Sequence, residues 1–357
     1  MKRSTVKTSI QLIIFLSLGF FFVWLSIRKL TMEQMQIIKE SAMGIMNFTS
    51  ILFIFISMLF GLLAHYVRAL RNILLIEPLG YTVRKKTAFY SVMTCYLGNL
   101  AVPRLGEVLR CTFLTRCENI PFEKSFGTVV TERLFDAICW IPVFLTALFI
   151  NTGILSEIVI NKETGETVSI LLTQKWNALI SNHIIYWLAV GAILLVLALI
   201  LSRKWWMKIK IFKQIAKIAK GLWNGVASIK DLKRPYLFLF YTLLMWIFYY
   251  LGTYLCFFAF DFLRDLGVIP AFSVLAFGTI GYIVAQGGLG AYPLLVAGVL
   301  LLSGVDYPEG LAAGWIGWGA QNVMILIVGF TCLILASFTK KTTIENKNSH
   351  FNCQLSS

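Results

Sequence analysis

The stretch that decides the fold runs from Asn99 to Arg110 and reads Asn-Leu-Ala-Val-Pro-Arg-Leu-Gly-Glu-Val-Leu-Arg. It divides the apolar segment 88–117 into two arms of about 14 residues, each rising about 21 Å, which is short of a hydrocarbon core about 30 Å thick. We therefore predict a helical hairpin that enters and leaves the membrane on one side. Two full crossings would give the later helices the same orientation.

A second apolar segment, 268–304, is broken at residues 286–293, which read Gln-Gly-Gly-Leu-Gly-Ala-Tyr-Pro. Unbroken apolar runs long enough to cross a membrane occupy residues 9–27, 47–67, 134–150, 184–202, 236–260 and 311–338. The first run is too long for the core of a signal peptide, so we expect it to be retained. The prediction is an all-α polytopic membrane protein with about six full transmembrane helices and two broken hairpins, or about eight to ten hydrophobic segments.

The composition excludes several other classes of protein. Of 357 residues, 58% are apolar and 14% are charged, whereas soluble domains have about 45–50% and about 25%. The apolar runs lack the alternation of barrel strands. The net charge of +15 sets the orientation of a membrane protein, and no nucleic-acid partner is expected. The seven cysteines form no CxxC pair and the three histidines are far apart, so we expect no metal and no cofactor.

The distribution of positive charge predicts the orientation. With the N-terminus in the cytoplasm, 26 of the 32 Lys and Arg residues fall on the cytoplasmic side and 6 on the other. Both termini are then cytoplasmic in the cell membrane, and the two hairpins open to opposite sides. A single domain, 1–338, would contain halves 47–150 and 236–338 of opposite topology, joined by a basic linker, 203–234, and followed by a polar tail, 339–357. Such inverted repeats indicate a transporter, unless the symmetry is accidental.

The first tip has the residues of an anion site. Pro103 suits the first turn of a helix, whose free amides attract negative charge. Arg104, Glu107 and Arg110 follow at spacings of three and share a face. The arginines would hold a phosphate, while Glu107 would orient them or meet a cationic headgroup. The alternative is a self-neutralising ion triad at the membrane interface.

Further candidate residues lie in the next helix and in the second tip. Glu132 and Asp136 are four residues apart and share a face, and Arg133 is within reach of Asp136. Either acid would pair with Arg104 or Arg110 across the hairpin, or form an interfacial salt bridge. The predicted substrate-binding set also includes Asn99, Gly106, Gly287, Gly288 and Gly290. We expect the three glycines of the second tip to approach residues 99–104, although glycines also serve as kinks or packing sites.

Residues 205–229 form a basic amphipathic segment. Its apolar stripe and lysines predict a helix in the inner headgroup plane, bound to anionic lipids of the inner leaflet.

The segments Asn99 to Arg110 and Thr128-x-x-x-Glu132-Arg133-x-x-Asp136 resemble the lysylphosphatidylglycerol synthase transmembrane region, also described as the flippase domain of bacterial multiple peptide resistance factors. The resemblance extends over residues 9–338 and implies a lipid-flipping domain with broken helices. One departure is Pro293, which stands where the family's second tip has a glutamate. Because only a short polar tail follows residue 338, we expect no aminoacyl-transferase domain, and hence no synthesis of lysylphosphatidylglycerol.

The function predicted from the sequence is that of a flippase-like transporter of an anionic or zwitterionic phospholipid or a lipid-linked headgroup. One alternative is a membrane transferase that uses a lipid-phosphate donor, although the acidic residues of the motifs lie on the cytoplasmic side. A second alternative is a non-transporting scaffold for envelope assembly.

Overall fold

The computed structural model describes residues 17, 20–26, 28, 30–102, 104–155 and 232–337. Its regular structure in these ranges is helical. The helices are α1 (Met32–Gly44), α2 (Phe48–Ile76), α3 (Lys85–Ala101), α4 (Leu105–Glu118), α5 (Phe122–Leu155), α6 (Pro235–Phe257), α7 (Val268–Val284), α8 (Ala291–Leu302) and α9 (Tyr307–Ser337).

Within the described ranges, four helices are long and apolar enough to span a membrane. These spans are Phe48–Leu79, Phe122–Ile150, Pro235–Phe257 and Tyr307–Ala336. They confirm the polytopic all-α fold and correspond to four of the six predicted runs. Of the other two, 184–202 and most of 9–27 lie outside the described residues.

The first broken hairpin is present as predicted. Helices α3 and α4 have 17 and 14 residues, and at about 1.5 Å per residue neither reaches across a core about 30 Å thick. The chain becomes extended at Val102 (φ −141°, ψ 135°) and left-handed at Arg104 (φ 63°, ψ 3°), which ends one helix and starts the next.

The second broken hairpin has a different type of break. Helices α7 and α8 have 17 and 12 residues, and a short 3₁₀ turn, Gln286–Gly288, separates them. Gly287 and Gly290 have φ values of 56° and 70°, which residues with a Cβ adopt at a cost. Pro293 lies in the first turn of α8, where a missing amide hydrogen costs nothing.

The two hairpins enter the bundle from opposite ends. At one end, Arg84 before α3 pairs with Glu118 at the end of α4 at 3.0 Å, and Arg234 before α6 pairs with Glu77 after α2. We call this the basic end. At the other end, an apolar cluster joins the end of α6 to the first half of α7 and the second half of α8. Its members include Phe257, Phe260, Leu263, Val274 and Val299. Helix α2 packs against α6, and α9 packs against α3 and α8, so the two halves interlock.

The chain divides into two compact units, one formed by Met1–Asp136 with Asp231–Ser357 and the other by Ala137–Lys230. All of the predicted site residues lie in the first unit. In the second unit the structure describes residues 137–155, which belong to α5. The basic amphipathic segment 205–229 lies outside the described residues, so its role stays a prediction.

Candidate functional site

Asn99 holds the first tip together. Its Oδ1 accepts a hydrogen bond from the backbone N–H of Gly106 at 2.9 Å, and its Nδ2 donates to Glu107 Oε1 at 3.2 Å. A side chain at Gly106 is excluded, because a Cβ there would lie 2.7 Å from Asn99 Cγ. The structure corrects the expectation that the first amides of α4 are free for phosphate: Asn99 takes the Gly106 amide, and Val102 O takes that of Leu105 at 3.2 Å.

Arg104 occupies the turn between the arms of the first hairpin. Its left-handed backbone costs a residue with a Cβ about 1–2 kcal/mol. The side chain is exposed, and no carboxylate of the described ranges forms an ion pair with it. Pro103, which we predicted to open α4, lies outside the described residues.

The tips of the two hairpins meet. Gln286 Nε2 donates to the backbone oxygen of Asn99 at 2.5 Å and to that of Leu100 at 3.5 Å. A Cβ on Gly287 would lie 3.2 Å from Leu100 Cδ2. Trp318 Nε1 of α9 donates a hydrogen bond to Gly287 O at 2.7 Å and so holds the second tip against α9.

Only one of the three predicted glycines makes this close approach. The atoms nearest to a Cβ on Gly288 belong to Tyr282 and Tyr292 of its own hairpin. Those nearest to a Cβ on Gly290 belong to Phe22 and Val23. The expectation that all three glycines face the first tip is therefore wrong for Gly288 and Gly290, because the atoms packed closest to them belong to their own hairpin and to residues 22 and 23.

A buried group of charges lies on α2, α4 and α5. We call Arg68, Arg71, Arg110, Glu132 and Asp136 the arginine–carboxylate cluster. Arg110 Nη2 lies 2.9 Å from Glu132 Oε2, so the predicted pairing across the hairpin is confirmed. Arg68 Nη1 lies 3.2 Å from Glu132 Oε1 and also pairs with Asp136, and Arg71 Nη2 lies 2.6 Å from Asp136 Oδ1.

The cluster connects the two halves of the bundle. Arg71 Nη1 donates to Thr242 Oγ1 at 3.3 Å, and Arg68 Nη2 donates to the hydroxyl of Tyr249 at 3.4 Å. Both acceptors belong to α6, which starts the second half. The charged groups of the first half therefore depend on polar groups of the second for their position.

Arg133 does not form the ion pair with Asp136 that the spacing of the two residues suggested. Its Nη2 lies 3.2 Å from Glu107 Oε1, so that the ion pair joins α5 to α4. Asp136 is already occupied by Arg68 and Arg71, which approach it from α2. The predicted phosphate pair is corrected as well: Arg110 is 2% exposed and bound to Glu132, whereas Arg104 is exposed at the tip.

Arg68, Arg71 and Asn72 were missed by the sequence analysis. They follow the end of the predicted run 47–67, but α2 continues to Ile76 and buries all three. Asn72 Nδ2 donates to Glu132 Oε2 at 3.3 Å. Their spacing of three and four within an apolar stretch, Leu-Ala-His-Tyr-Val-Arg-Ala-Leu-Arg-Asn-Ile-Leu-Leu-Ile, was the signal for one buried helical face.

These helix bounds also change the charge count. Arg68, Arg71, Arg104, Arg110 and Arg133 lie inside the bundle or at its tip, so they do not belong to cytoplasmic loops. Removing these five from the 26 leaves 21 against 6 on the opposite side. The predicted orientation keeps a clear positive asymmetry.

The site offers donors for an anion. Arg104 presents an exposed guanidinium at the tip, and the arginine–carboxylate cluster contains further, buried guanidinium groups. Loss of one partner of a buried ion pair typically costs about 3–5 kcal/mol, so single acids of the cluster also stabilise the fold. In the part of the chain that the structure describes, no group of three His, Cys, Asp or Glu side chains is placed to hold a metal.

Comparison with known proteins gives two matches. The family model of the lysylphosphatidylglycerol synthase transmembrane region matches residues 9–329. A UPF0104 membrane protein of Methanocaldococcus jannaschii is 27% identical over 106 residues, which are 28% of this chain and 32% of that protein. The match thus spans about a third of the relative's length. No solved structure matches the chain.

Proposed function

We propose that this protein moves a phospholipid or lipid-linked headgroup across the cell membrane, because the chain belongs to the family of the lysylphosphatidylglycerol synthase transmembrane region. The observation that carries this proposal is the contact between two broken hairpins that enter from opposite ends, made by Gln286 with the carbonyls of Asn99 and Leu100. Broken helices that meet inside a transporter mark a substrate site near the bilayer midplane.

Arg104 is the residue of this site that meets the headgroup phosphate. An exposed charge at membrane depth is costly unless an anion or water accompanies it. Its planar guanidinium binds phosphate oxygens with two parallel hydrogen bonds, which an ammonium group does not. The contact between the tips separates the two sides of the bundle, so lipid movement requires Gln286 to release the first tip.

The same proposal includes the orientation. The basic end, which carries the Arg84–Glu118 and Arg234–Glu77 pairs, faces the cytoplasm, and both termini are cytoplasmic. Inner-leaflet anionic lipids then bind this end and the basic segment 205–229.

A lipid-movement assay tests the proposal. The purified protein is placed in vesicles of phosphatidylglycerol and phosphatidylethanolamine with a trace of lipid carrying a fluorophore on its headgroup, and dithionite bleaches the label in the outer leaflet. We expect the protected inner pool to become accessible with the wild-type protein. Arg104→Gln should slow this by about tenfold or more, since hydrogen bonds to charged groups contribute about 1.5–3 kcal/mol.

The matched control is Arg264→Gln, which removes the same charge from an exposed pair with Asp261 at the opposite end of the bundle. It should leave the rate unchanged. The proposal fails if wild-type vesicles behave like empty ones with anionic, zwitterionic and aminoacylated lipids, or if Arg104→Gln is as fast as wild type.

A further inference from the structure

The arginine–carboxylate cluster contains an unbalanced charge. Three guanidinium groups, which arginine keeps protonated in proteins, face two carboxylates, so one positive charge is in excess. Both carboxylates already have several arginine partners. Glu132 contacts Arg68, Arg71 and Arg110, and Asp136 contacts Arg68 and Arg71. An uncompensated charge in a buried position is expensive.

Among the residues that the structure describes, the groups around the cluster do not supply the missing negative charge. Arg133 and Glu107 form a pair of their own, which is neutral as a unit. On the side of α6, the acceptors are the hydroxyls of Thr242 and Tyr249. Tyr249 also contacts His65 Nδ1 at 3.4 Å, and a histidine ring is either neutral or positive, so it adds no negative charge.

The arginines also keep unused donors. The Nε–H groups of Arg68, Arg71 and Arg110 are buried, and none has a hydrogen-bond partner within the described ranges. All three side chains are at least nine-tenths buried, with exposures of 6%, 0% and 2%. Buried donors without a partner typically cost about 1–3 kcal/mol each, more for charged groups. Excess charge and unused donors thus occur in the same three side chains.

We propose that this cluster is an occluded binding site for a singly charged oxyanion, either the phosphodiester of a lipid headgroup or free dihydrogen phosphate. One such anion balances the excess charge, and its oxygens accept the free guanidinium N–H groups. A dianion would reverse the imbalance, and a halide lacks the several directed acceptors that guanidinium groups favour. The site is separate from Arg104, which lies at the exposed tip, and gives the bundle a second position for a phosphate.

The first test uses wild-type protein in detergent at constant ionic strength. We expect its melting temperature to rise by about 3 °C or more when phosphate near pH 6 replaces gluconate, or when phosphatidylglycerol is added to the micelles, because a ligand bound only by the folded state stabilises it. A response to phosphate identifies a free oxyanion, and a response to phosphatidylglycerol alone identifies a lipid headgroup. No response to either, or an equal response to chloride, overturns the proposal.

Two variants change the charge of the cluster in opposite directions. Arg71→Gln leaves two arginines against two carboxylates, and we expect the anion response to disappear. Asp136→Asn raises the excess to two, and we expect a larger response than that of wild type. The control is Arg264→Gln, which removes a charge from the exposed pair with Asp261 at the opposite end of the bundle and should keep the wild-type response.

A response of Arg71→Gln equal to that of wild type would place the anion elsewhere. If Arg71→Gln does not fold, the titration of the wild-type protein and the response of Asp136→Asn still test whether the cluster binds the anion. The assignment of the anion to a lipid rests on the proposed function, but the site itself does not. Binding is measured here without vesicles, so a protein that binds an oxyanion and moves no lipid would contradict the transporter alone.

Discussion

Arg104 is held in a backbone conformation that suits glycine better than arginine. Among the described residues with a Cβ, it shares a positive φ only with Asn119, and asparagine tolerates that region far better. Strained backbone of this kind persists where the surroundings impose it, often at binding sites. Under the proposed function, the arginine side chain offsets this cost because it presents a positive charge to the headgroup at the exposed tip.

We predict that Arg104→Gly raises thermal stability by about 1 kcal/mol and slows lipid movement, because glycine relieves the strain and removes the charge. Arg104→Lys should keep the wild-type stability and part of the activity. Thermal unfolding of the purified variants and the dithionite assay measure the two effects. A glycine variant that is less stable than wild type would show that the arginine side chain holds the fold together.

The buried arginines show how far single residues can be predicted. The Arg110–Glu132 pair was one of the pairings predicted from the sequence, because the two residues lie in a predicted hairpin and in the helix that follows it. The burial of Arg68 and Arg71 was not predicted, because an arginine just after an apolar run resembles a charged loop residue. Their burial is set by Glu132 and Asp136, which are more than 60 residues away in sequence.

At the scale of elements, the two hairpins are broken by different means. The first ends where Val102 is extended and Arg104 is left-handed, and Asn99 bonds across the gap to Gly106. The second relies on glycines with positive φ, and its Gln286 reaches the carbonyls at the end of α3. Those carbonyls have no intrahelical partner, so the second tip caps the first.

We predict that Gly287→Val slows lipid movement by about tenfold or more and lowers stability by about 1–2 kcal/mol, because the backbone is left-handed and Leu100 is 3.2 Å from the new Cβ. The control is Gly298→Ala in α8, where no atom lies within 4 Å of an added Cβ. It should be neutral or stabilising by up to about 1 kcal/mol, as alanine favours helix. The dithionite assay and thermal unfolding measure both. Normal transport by Gly287→Val would show that the contact between the tips does not matter.

At the scale of the molecule, charge separates the two ends of the bundle. The basic end carries exposed Arg84, Lys85 and Lys86 at the start of α3. The opposite end carries exposed Asp261, Asp265 and Asp306. A positive end retained on the cytoplasmic side is the usual result of membrane insertion.

We predict that a cysteine at Lys86 is protected from a membrane-impermeant maleimide in intact cells and labelled after permeabilisation. A cysteine at Asp306 should be labelled in intact cells. Both positions are exposed, and a cysteine-free background removes the native thiols. Labelling of position 86 from outside would reverse the orientation of the protein.

The sequence by itself determined the class of fold, the positions of the two breaks and most of the residues near the tips. It could do so because run length, proline, glycine and charge act within one or two helical turns. Only the tertiary structure decided that α2 extends to Ile76, that Gly287 alone of the three glycines faces Leu100, and that three arginines share two carboxylates. These features depend on helices that are distant in sequence and packed together, and the cost of burying a charge decides which partners must meet.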